Sequence, residues 1–243
     1  MAIVHADTST GIGQPLAPIG AACQETGSLL LVDAVLSIGG CEVDFAAWQL
    51  DVAVGGLQKC LGGPPGLALL ACSPRIEQAL GRRRRASHSV YLDLAHPLDV
   101  STTMVMAARE ALQLVLDEGL AARWDRHRNA SQMLRAGIDA MGLRRFGDER
   151  HSVPMITLVE VPLGVNDASV REQLLVEHGI EIMAAFGPLR GRVWRIGTMG
   201  TNACLPSVLT LLSGMEAVLA SRGYQLPRGA AVDAARAVSR RPL

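Results

Sequence analysis

Residues 29–38, LLLVDAVLSI, form an apolar run bounded by glycines, and together with the second apolar run at residues 51–57, DVAVGGL, they decide the fold class. Runs of this kind are typical of strands buried on both faces of a parallel sheet. Asp33 lies at the end of the first predicted strand, and Gln58 and Lys59 follow the second. Open parallel sheets bind ligands beyond the carboxyl ends of their strands. We therefore predict an α/β fold with an acid and an amine near one ligand crevice, while a turn-capping role for Asp33 stays open.

Lys59 is the single lysine among 23 basic residues, so the other 22 are arginines. A primary amine can lose its proton and attack a carbonyl to form a Schiff base, which a guanidinium cannot do. The sequence GGPPG at residues 62–66 forces a turn soon afterwards, so Lys59 is expected at a junction between a strand and a loop. The alternative is an ordinary surface lysine.

A third junction between a strand and a loop opens the chain, in the sequence IVHADTSTGIG at residues 3–13. Its hydroxyl cluster suits an oxygen-rich ligand, but the spacing matches neither of the common glycine-rich nucleotide loops. Together the three junctions would supply hydroxyl donors, an acid and an amine to one crevice. That set of groups is what pyridoxal phosphate chemistry requires.

Composition excludes several functional classes. The 243 residues carry 23 basic and 23 acidic side chains, and 49% of the chain is hydrophobic. This balance argues against nucleic-acid partners and against disorder. The apolar stretches are too short to span a membrane, and the first residues do not resemble an export signal. We expect a soluble, cytoplasmic protein with no membrane partner.

The cysteines form no CxxC pair and have no matching histidines, so we expect neither a bound metal nor a disulfide framework. We expect all of them to be small buried hydrophobic residues; they are Cys23, Cys41, Cys60, Cys72 and Cys204. The four arginines at residues 82–85 end a predicted helix and are expected to form a solvated face.

The second half of the chain alternates helices and strands. Predicted helices follow Ser101 up to Gly119, run over about 121–140 and 168–178, and extend from Pro206 to Gly223 as the last helix. Predicted strands lie near 153–161 and 192–197. The expected organisation is the C-terminal part of a large parallel-sheet domain at 1–118, followed by a small α/β domain at 119–243.

Several stretches closely resemble one family of enzymes. The sequences HADTSTGIGQPLAPIG, LLLVDAVLSIGG, GLQKCLGGPPGLA and GIEIMAAFGPLRGRVWRIGTMG are similar to class V pyridoxal-phosphate-dependent aminotransferases, in the alanine–glyoxylate and (S)-ureidoglycine–glyoxylate branch. The resemblance covers nearly the whole chain. It implies fold type I of the pyridoxal-phosphate-dependent transferases, with a partial large domain of parallel or mixed sheet and a small C-terminal α/β domain.

The resemblance also implies roles for particular residues. Lys59 resembles the lysine that anchors the cofactor and moves the substrate proton, and Asp33 resembles the acid that pairs with the pyridine nitrogen. Val35 would pack beneath the ring, Thr8 would donate to the ring hydroxyl, and Gln58 would contact the phosphate. These five residues form the expected binding site for pyridoxal 5′-phosphate.

Arg195 lies in VWRIG, an alternating pattern typical of a strand, directly before the turn GTMG. The resemblance implies that this arginine grips the substrate carboxylate, which suits a planar bidentate donor. The implied reaction is transamination between an amino donor of ureidoglycine, alanine or serine type and glyoxylate or another 2-oxo acid. A homodimer and a place in purine breakdown are implied as well.

Two departures from the family pattern leave other functions open. The chain starts within what should be a middle strand of the large domain, so we expect it to lack the N-terminal half with its phosphate-binding turn. The stretch between Tyr91 and Thr102 is also shorter than in the family. The chain could therefore be a weak enzyme or a non-catalytic fragment. A class V lyase or desulfurase is a further alternative, although neither Cys60 nor Cys204 lies in a sequence that would activate a thiol.

Overall fold

The computed structural model describes residues 1–85, 87–89, 91, 93–94 and 100–240. The strands are β1 Ala2–Val4, β2 Leu31–Asp33, β3 Val52–Gly56, β4 Ala68–Cys72, β5 Ile156–Glu160, β6 Met183–Ala184 and β7 Val193–Gly197. The helices are α1 Leu16–Glu25, α2 Pro74–Gly81, α3 Thr102–Glu118, α4 Leu120–Ala140, α5 Asp167–His178, α6 Leu205–Ser221 and α7 Ala230–Ser239. The elements thus alternate between strands and helices in both halves of the chain, which confirms the α/β class.

The first sheet has the order β1-β2-β3-β4. Strands β1, β2 and β3 are parallel, and β4 runs antiparallel to β3. The parallel register pairs Val4 with Asp33 and Asp33 with Val54. The predicted mixed sheet is confirmed. Asp33 is the last residue of β2, which lies between β1 and β3.

The prediction of a strand over 29–38 is wrong in its length, because β2 ends at Asp33. The Asp33 carboxylate accepts a hydrogen bond from the Val35 backbone N–H at 2.9 Å. The Ser37 and Ile38 N–H groups then donate to the Ala34 carbonyl, so the chain turns. An aspartate that bonds to the backbone two residues later stabilises a turn against an extended strand.

The second sheet is antiparallel, with the order β5-β7-β6. Helices α4, α5, α6 and α7 contribute to one core with it, around the fully buried Trp194, Leu212 and Met215. The predicted helices of this half are confirmed within a few residues of their ends. The expectation that the helix ending near Gly223 is the last one is wrong, since α7 follows and packs against α4.

Helix α1 was not predicted, because its proline and central glycine obscure the helical periodicity of LAPIGAACQE. It packs on the first sheet through Leu16 and Cys23. A Cβ atom at Gly20 would stand only 1.9 Å from the Trp48 carbonyl oxygen. The glycine is therefore required for the close approach of α1 to the segment before β3.

A shared core joins the two halves of the chain. Ala6, Leu36 and Cys60 from the loops of the first sheet pack with Met155 and Ile156 from the second half. This packing brings the carboxyl ends of β1, β2 and β3 towards the second sheet. Among the described residues, no helix combines the length and the apolar character that crossing a membrane requires.

The cysteines differ in environment. Cys23 and Cys60 are buried, Cys41 and Cys204 are half-buried, and Cys72 is exposed. The expectation that all five are buried is therefore wrong. Cys72 ends β4, which lies at the border of the first sheet, so its side chain can face solvent.

Candidate active site

Three loops leave the same edge of the first sheet, at the carboxyl ends of β1, β2 and β3. The His5 N–H donates to the Asp33 carbonyl at 2.9 Å, and the Ala34 N–H donates to the Val54 carbonyl at 2.8 Å. Asp33 is therefore flanked by the chain on both sides. Lys59 lies in the turn that follows β3, and its side chain is half-buried. The predicted placement of Lys59 at a junction between a strand and a loop is confirmed.

Val35 and Gln58 come together above Gly56, the last residue of β3. A Cβ atom at Gly56 would stand 2.8 Å from Gln58 Oε1 and 2.9 Å from Val35 Cγ1. Any larger residue at this position would displace both side chains. The glycine thus lets residues from two neighbouring loops share one small space beside Asp33.

The loop with Thr8 is ordered by Asp7. Its carboxylate accepts hydrogen bonds from the Ser9 N–H at 3.0 Å, the Thr10 N–H at 3.1 Å and the Thr10 hydroxyl at 2.7 Å. Burial opposes ionisation of Asp7, but these hydrogen bonds from Thr10 and Ser9 outweigh it and lower the pKa of Asp7. The resulting turn holds Thr8, which is half-buried, at the tip of the loop after β1.

Arg195 on β7 reaches this loop from the second sheet. Its Nη1 donates to the Thr8 carbonyl at 3.2 Å, and its Nε donates to the Ala184 carbonyl at 2.9 Å. The Phe186 ring lies 4.2 Å from the centre of the guanidinium group. Only 8% of Arg195 is exposed, and burial lowers the pKa of Arg195 while nearby Asp7 opposes that effect. Since a guanidinium carries five N–H donors, several remain for an anionic ligand.

The side chain of His5 contacts the turn after β2. Its Nδ1 lies 2.9 Å from the Ser37 hydroxyl oxygen, and the Trp48 ring packs edge-on against it at 5.7 Å. Burial lowers the pKa of His5, so the ring is neutral near pH 7. In the sequence, His5 is the first residue of the motif HADTSTG, and no separate role is predicted for it. Its contacts place it as a support for the segment that begins with Asp33.

Cys60, the neighbour of Lys59, is fully buried. Its thiol donates to the Leu36 carbonyl at 3.1 Å, and burial raises the pKa of Cys60 to about 12. A thiol with so high a pKa carries almost no thiolate at neutral pH and is a poor nucleophile.

The first sheet is mixed, and the turn after its third strand carries Lys59, while the second sheet carries Arg195. This arrangement defines an α/β protein of fold type I of the pyridoxal-phosphate-dependent transferases. The family profile described as aminotransferase class-V matches residues 1–189. The chain belongs to the class-V aminotransferase family.

Named relatives agree with this membership. The (S)-ureidoglycine–glyoxylate transaminase of Bacillus subtilis is 41% identical over 97% of this chain and 64% of its own length. The crystal structure of the ureidoglycine–glyoxylate aminotransferase from Bacillus subtilis covers 99% of this chain with a TM-score of 0.96 and 44% identity, and 65% of that chain is covered. The alanine–glyoxylate aminotransferase of Callithrix jacchus is 34% identical over 85% of this chain and 53% of its own length. The chain therefore spans less than two thirds of the length of these relatives.

Pyridoxal 5′-phosphate is the cofactor of this family, and the residues at the edge of the first sheet suit it chemically. An amine, a carboxylate and a hydroxyl follow three adjacent parallel strands, and the missing Cβ of Gly56 lets Val35 and Gln58 approach each other there. Residues 92 and 95–99, in the shortened stretch noted in the sequence, lie outside the described residues.

Proposed function

We propose that this chain catalyses pyridoxal-phosphate-dependent transamination between an amino donor of ureidoglycine, alanine or serine type and glyoxylate or another 2-oxo acid. The observation that carries the proposal is the hydrogen bond from Arg195 to the Thr8 carbonyl. This hydrogen bond joins Arg195, a buried cation suited to carboxylates, to the loop after β1. That loop leaves the same edge of the sheet as the segments with Asp33 and Lys59. The relatives from Bacillus subtilis and Callithrix jacchus, which are named as glyoxylate aminotransferases, support the substrate class.

The bound cofactor would supply an electron sink for the negative charge that develops at the substrate Cα. Lys59 would hold the cofactor through its amine and move the proton of the substrate Cα. Asp33 would accept a hydrogen bond from the pyridine nitrogen and keep that nitrogen protonated, because an adjacent carboxylate favours the charged form of a base. The hydrogen bond that Asp33 accepts from the Val35 N–H would also hold the carboxylate in one orientation.

The remaining residues would hold the cofactor and substrate in place. Thr8 would donate its hydroxyl proton to the ring oxygen, Val35 would pack beneath the ring, and Gln58 would donate its amide to the phosphate. Arg195 would bind the substrate carboxylate. Its contacts with Ala184, Thr8 and Phe186 restrict the guanidinium to one plane, which favours bidentate binding.

The alternative of a class V desulfurase or lyase receives no support from Cys60, because its buried thiol is not activated. The alternative of a non-catalytic fragment is an outcome of the experiment below.

We also propose the domain boundary at 1–118 and 119–243. Helix α3 packs on the first sheet through Ala108 and Val115, beside Leu57 and Leu61. Helix α4 instead contributes to the core of the second sheet. The two helices meet at Gly119, whose φ of 80° favours glycine.

The wider setting is a proposal too. We propose a cytoplasmic homodimer without nucleic-acid or membrane partners, which with ureidoglycine as donor would act in purine breakdown. The large exposed side chains of Leu114 and Leu116 on α3 support a second copy as a partner, since contact with it would remove apolar surface from water.

The test is an absorbance titration of the purified chain with pyridoxal 5′-phosphate, beside the Lys59→Ala variant. A visible band that forms only with the wild-type chain would support the proposed role of Lys59. A screen of amino donors with glyoxylate would then identify the substrate. A folded wild-type chain without the band would contradict the proposal and favour a non-catalytic fragment.

A further inference from the structure

The buried face of α4 carries charged side chains that contact the backbone next to Lys59. Arg123 is only 5% exposed. Its Nε and Nη2 donate to the Cys60 carbonyl at 3.1 and 2.7 Å, and Nη2 also donates to the Leu61 carbonyl at 3.1 Å. Glu118 pairs with the Nη1 of Arg123 and balances its charge. The guanidinium therefore holds the carbonyl groups of the two residues that directly follow Lys59.

His127 lies one helical turn further along and holds the other side of the same turn. Its Nε2 accepts the Gly200 N–H at 3.1 Å, so the ring proton is on Nδ1, which donates to the Arg123 carbonyl at 2.8 Å. Gly200 in turn rests against the lysine, since a Cβ atom there would stand 2.9 Å from the Lys59 carbonyl oxygen. A neutral histidine is needed for this arrangement, and burial lowers the pKa of His127 to about 4.

The same helix holds the loop that follows the strand of Arg195. Arg126 Nη1 donates to the Gly200 carbonyl at 2.8 Å and to the Ala203 carbonyl at 3.0 Å, while Glu118 also pairs with Arg126. One face of α4 is thus bonded to the turn after β3 and to the loop after β7.

We propose that Arg123 and His127 are positioning residues that set where the amine of Lys59 stands relative to Arg195. The inference rests on the proposed function of Lys59. Burying charged groups costs desolvation energy, and apolar side chains would join two segments at lower cost. Charge-assisted hydrogen bonds to backbone carbonyls instead fix both distance and angle. These hydrogen bonds contact the neighbours of Lys59 and leave its side chain outside the network.

The composition of the chain permits a direct test without cofactor. Reductive methylation with ¹³C-formaldehyde labels only two amines, Lys59 and the α-amino group of Met1. Met1 lies at the opposite end of β1 and donates to the Leu29 carbonyl, so its NMR signal serves as an internal control for folding. The Lys59→Arg variant assigns the two signals.

The variants are Arg123→Gln, His127→Leu and His127→Gln, none of which adds an amine, with Arg128→Ala as the matched control. Arg128 lies on the same helix with 56% of its side chain exposed, and it pairs only with Asp125 among the described residues. Arg123→Gln has only two N–H donors on a shorter side chain and cannot bind both carbonyls and Glu118 together. We expect a shift and broadening of the Lys59 signal in Arg123→Gln and His127→Leu, and an unchanged Met1 signal. His127→Gln, whose amide oxygen can accept the Gly200 N–H, should restore the Lys59 signal, and Arg128→Ala should leave it unchanged.

An unchanged Lys59 signal in the folded Arg123→Gln and His127→Leu variants would overturn the proposal. So would the unfolding of both variants, because these residues would then serve the stability of the fold alone. The measurement is independent of the cofactor titration, so a failure of the proposed function and a failure of the positioning role give different results.

Discussion

The two oxygen atoms of Asp33 offer a way to separate the turn of the backbone from the proposed chemistry. One carboxylate oxygen accepts the Val35 N–H at 2.9 Å and ends β2. An asparagine keeps an oxygen acceptor for this hydrogen bond but has no negative charge. An alanine loses both. Asp33→Asn and Asp33→Ala should therefore differ in stability and agree in activity.

The magnitudes follow from the two interactions. The hydrogen bond to Val35 is a neutral donor bonded to a charged and exposed acceptor, so its loss in Asp33→Ala should cost about 1 kcal/mol of unfolding free energy. Asp33→Asn should change the stability by less than about 0.5 kcal/mol. A carboxylate near a base shifts its pKa by about 1–3 units, so loss of the charge should lower the protonated fraction of the pyridine nitrogen about 10- to 1000-fold.

Two measurements test this reasoning. Denaturant unfolding of the cofactor-free chain gives the stability of both variants, and the kcat/KM of transamination gives the activity. We expect both variants to lose activity about 10- to 1000-fold, while only Asp33→Ala loses stability. Wild-type activity in Asp33→Asn would refute the role of the negative charge. Equal destabilisation of the two variants would refute the role assigned to the turn.

Three other changes test the fold and the site. Arg195→Lys keeps the charge but not the planar donor, and the loss of one charge-assisted hydrogen bond of about 1.5–3 kcal/mol should lower the kcat/KM about 10- to 150-fold; an effect below threefold would argue against bidentate binding. Gly20→Ala should destabilise the chain by about 1–3 kcal/mol because its Cβ would meet the Trp48 carbonyl at 1.9 Å, whereas Gly81→Ala, with open space around it, should be neutral or stabilising in the same denaturant assay. Burial lowers the pKa of His127 from 6.5 to about 4 in the folded chain, so the unfolded chain takes up this proton at a higher pH than the folded chain does. The free energy of unfolding should therefore fall by about 3 kcal/mol as the pH is lowered from 6.5 to 4. This slope should flatten in His127→Gln, and an unchanged slope would assign the acid sensitivity to other groups.

The local chemistry of the site was readable from the sequence. Apolar runs that end in glycines indicated where parallel strands stop, and ligands of such sheets bind at those ends. The single lysine and the alternating pattern around Arg195 marked two of the residues that the fold then placed in or near the edge of the first sheet. The length of β2 was not readable, because one hydrogen bond from Asp33 ends a run that remains apolar beyond it.

Helices α1 and α7 were missed because small residues give a weak periodic signal. Helix α7, with the sequence AAVDAARAVS, buries Ala231 and Ala235 against the core of the second sheet. Alanines contribute little apolar area, so a sequence pattern does not distinguish their buried face from the exposed one. Packing against α4 decides the position of this helix.

The sequence by itself determined the class of fold, the order of most elements and the residue types of the candidate site, since these depend on local periodicity and on strand ends. Only the tertiary structure decided that Arg195 contacts the Thr8 carbonyl, 187 positions away along the chain. It also decided that Arg123 and His127, to which the sequence assigned no role, are buried against the turn with Lys59. The physical reason is that burial and hydrogen bonding between distant segments depend on how the two sheets pack, and no local pattern of side chains encodes that packing.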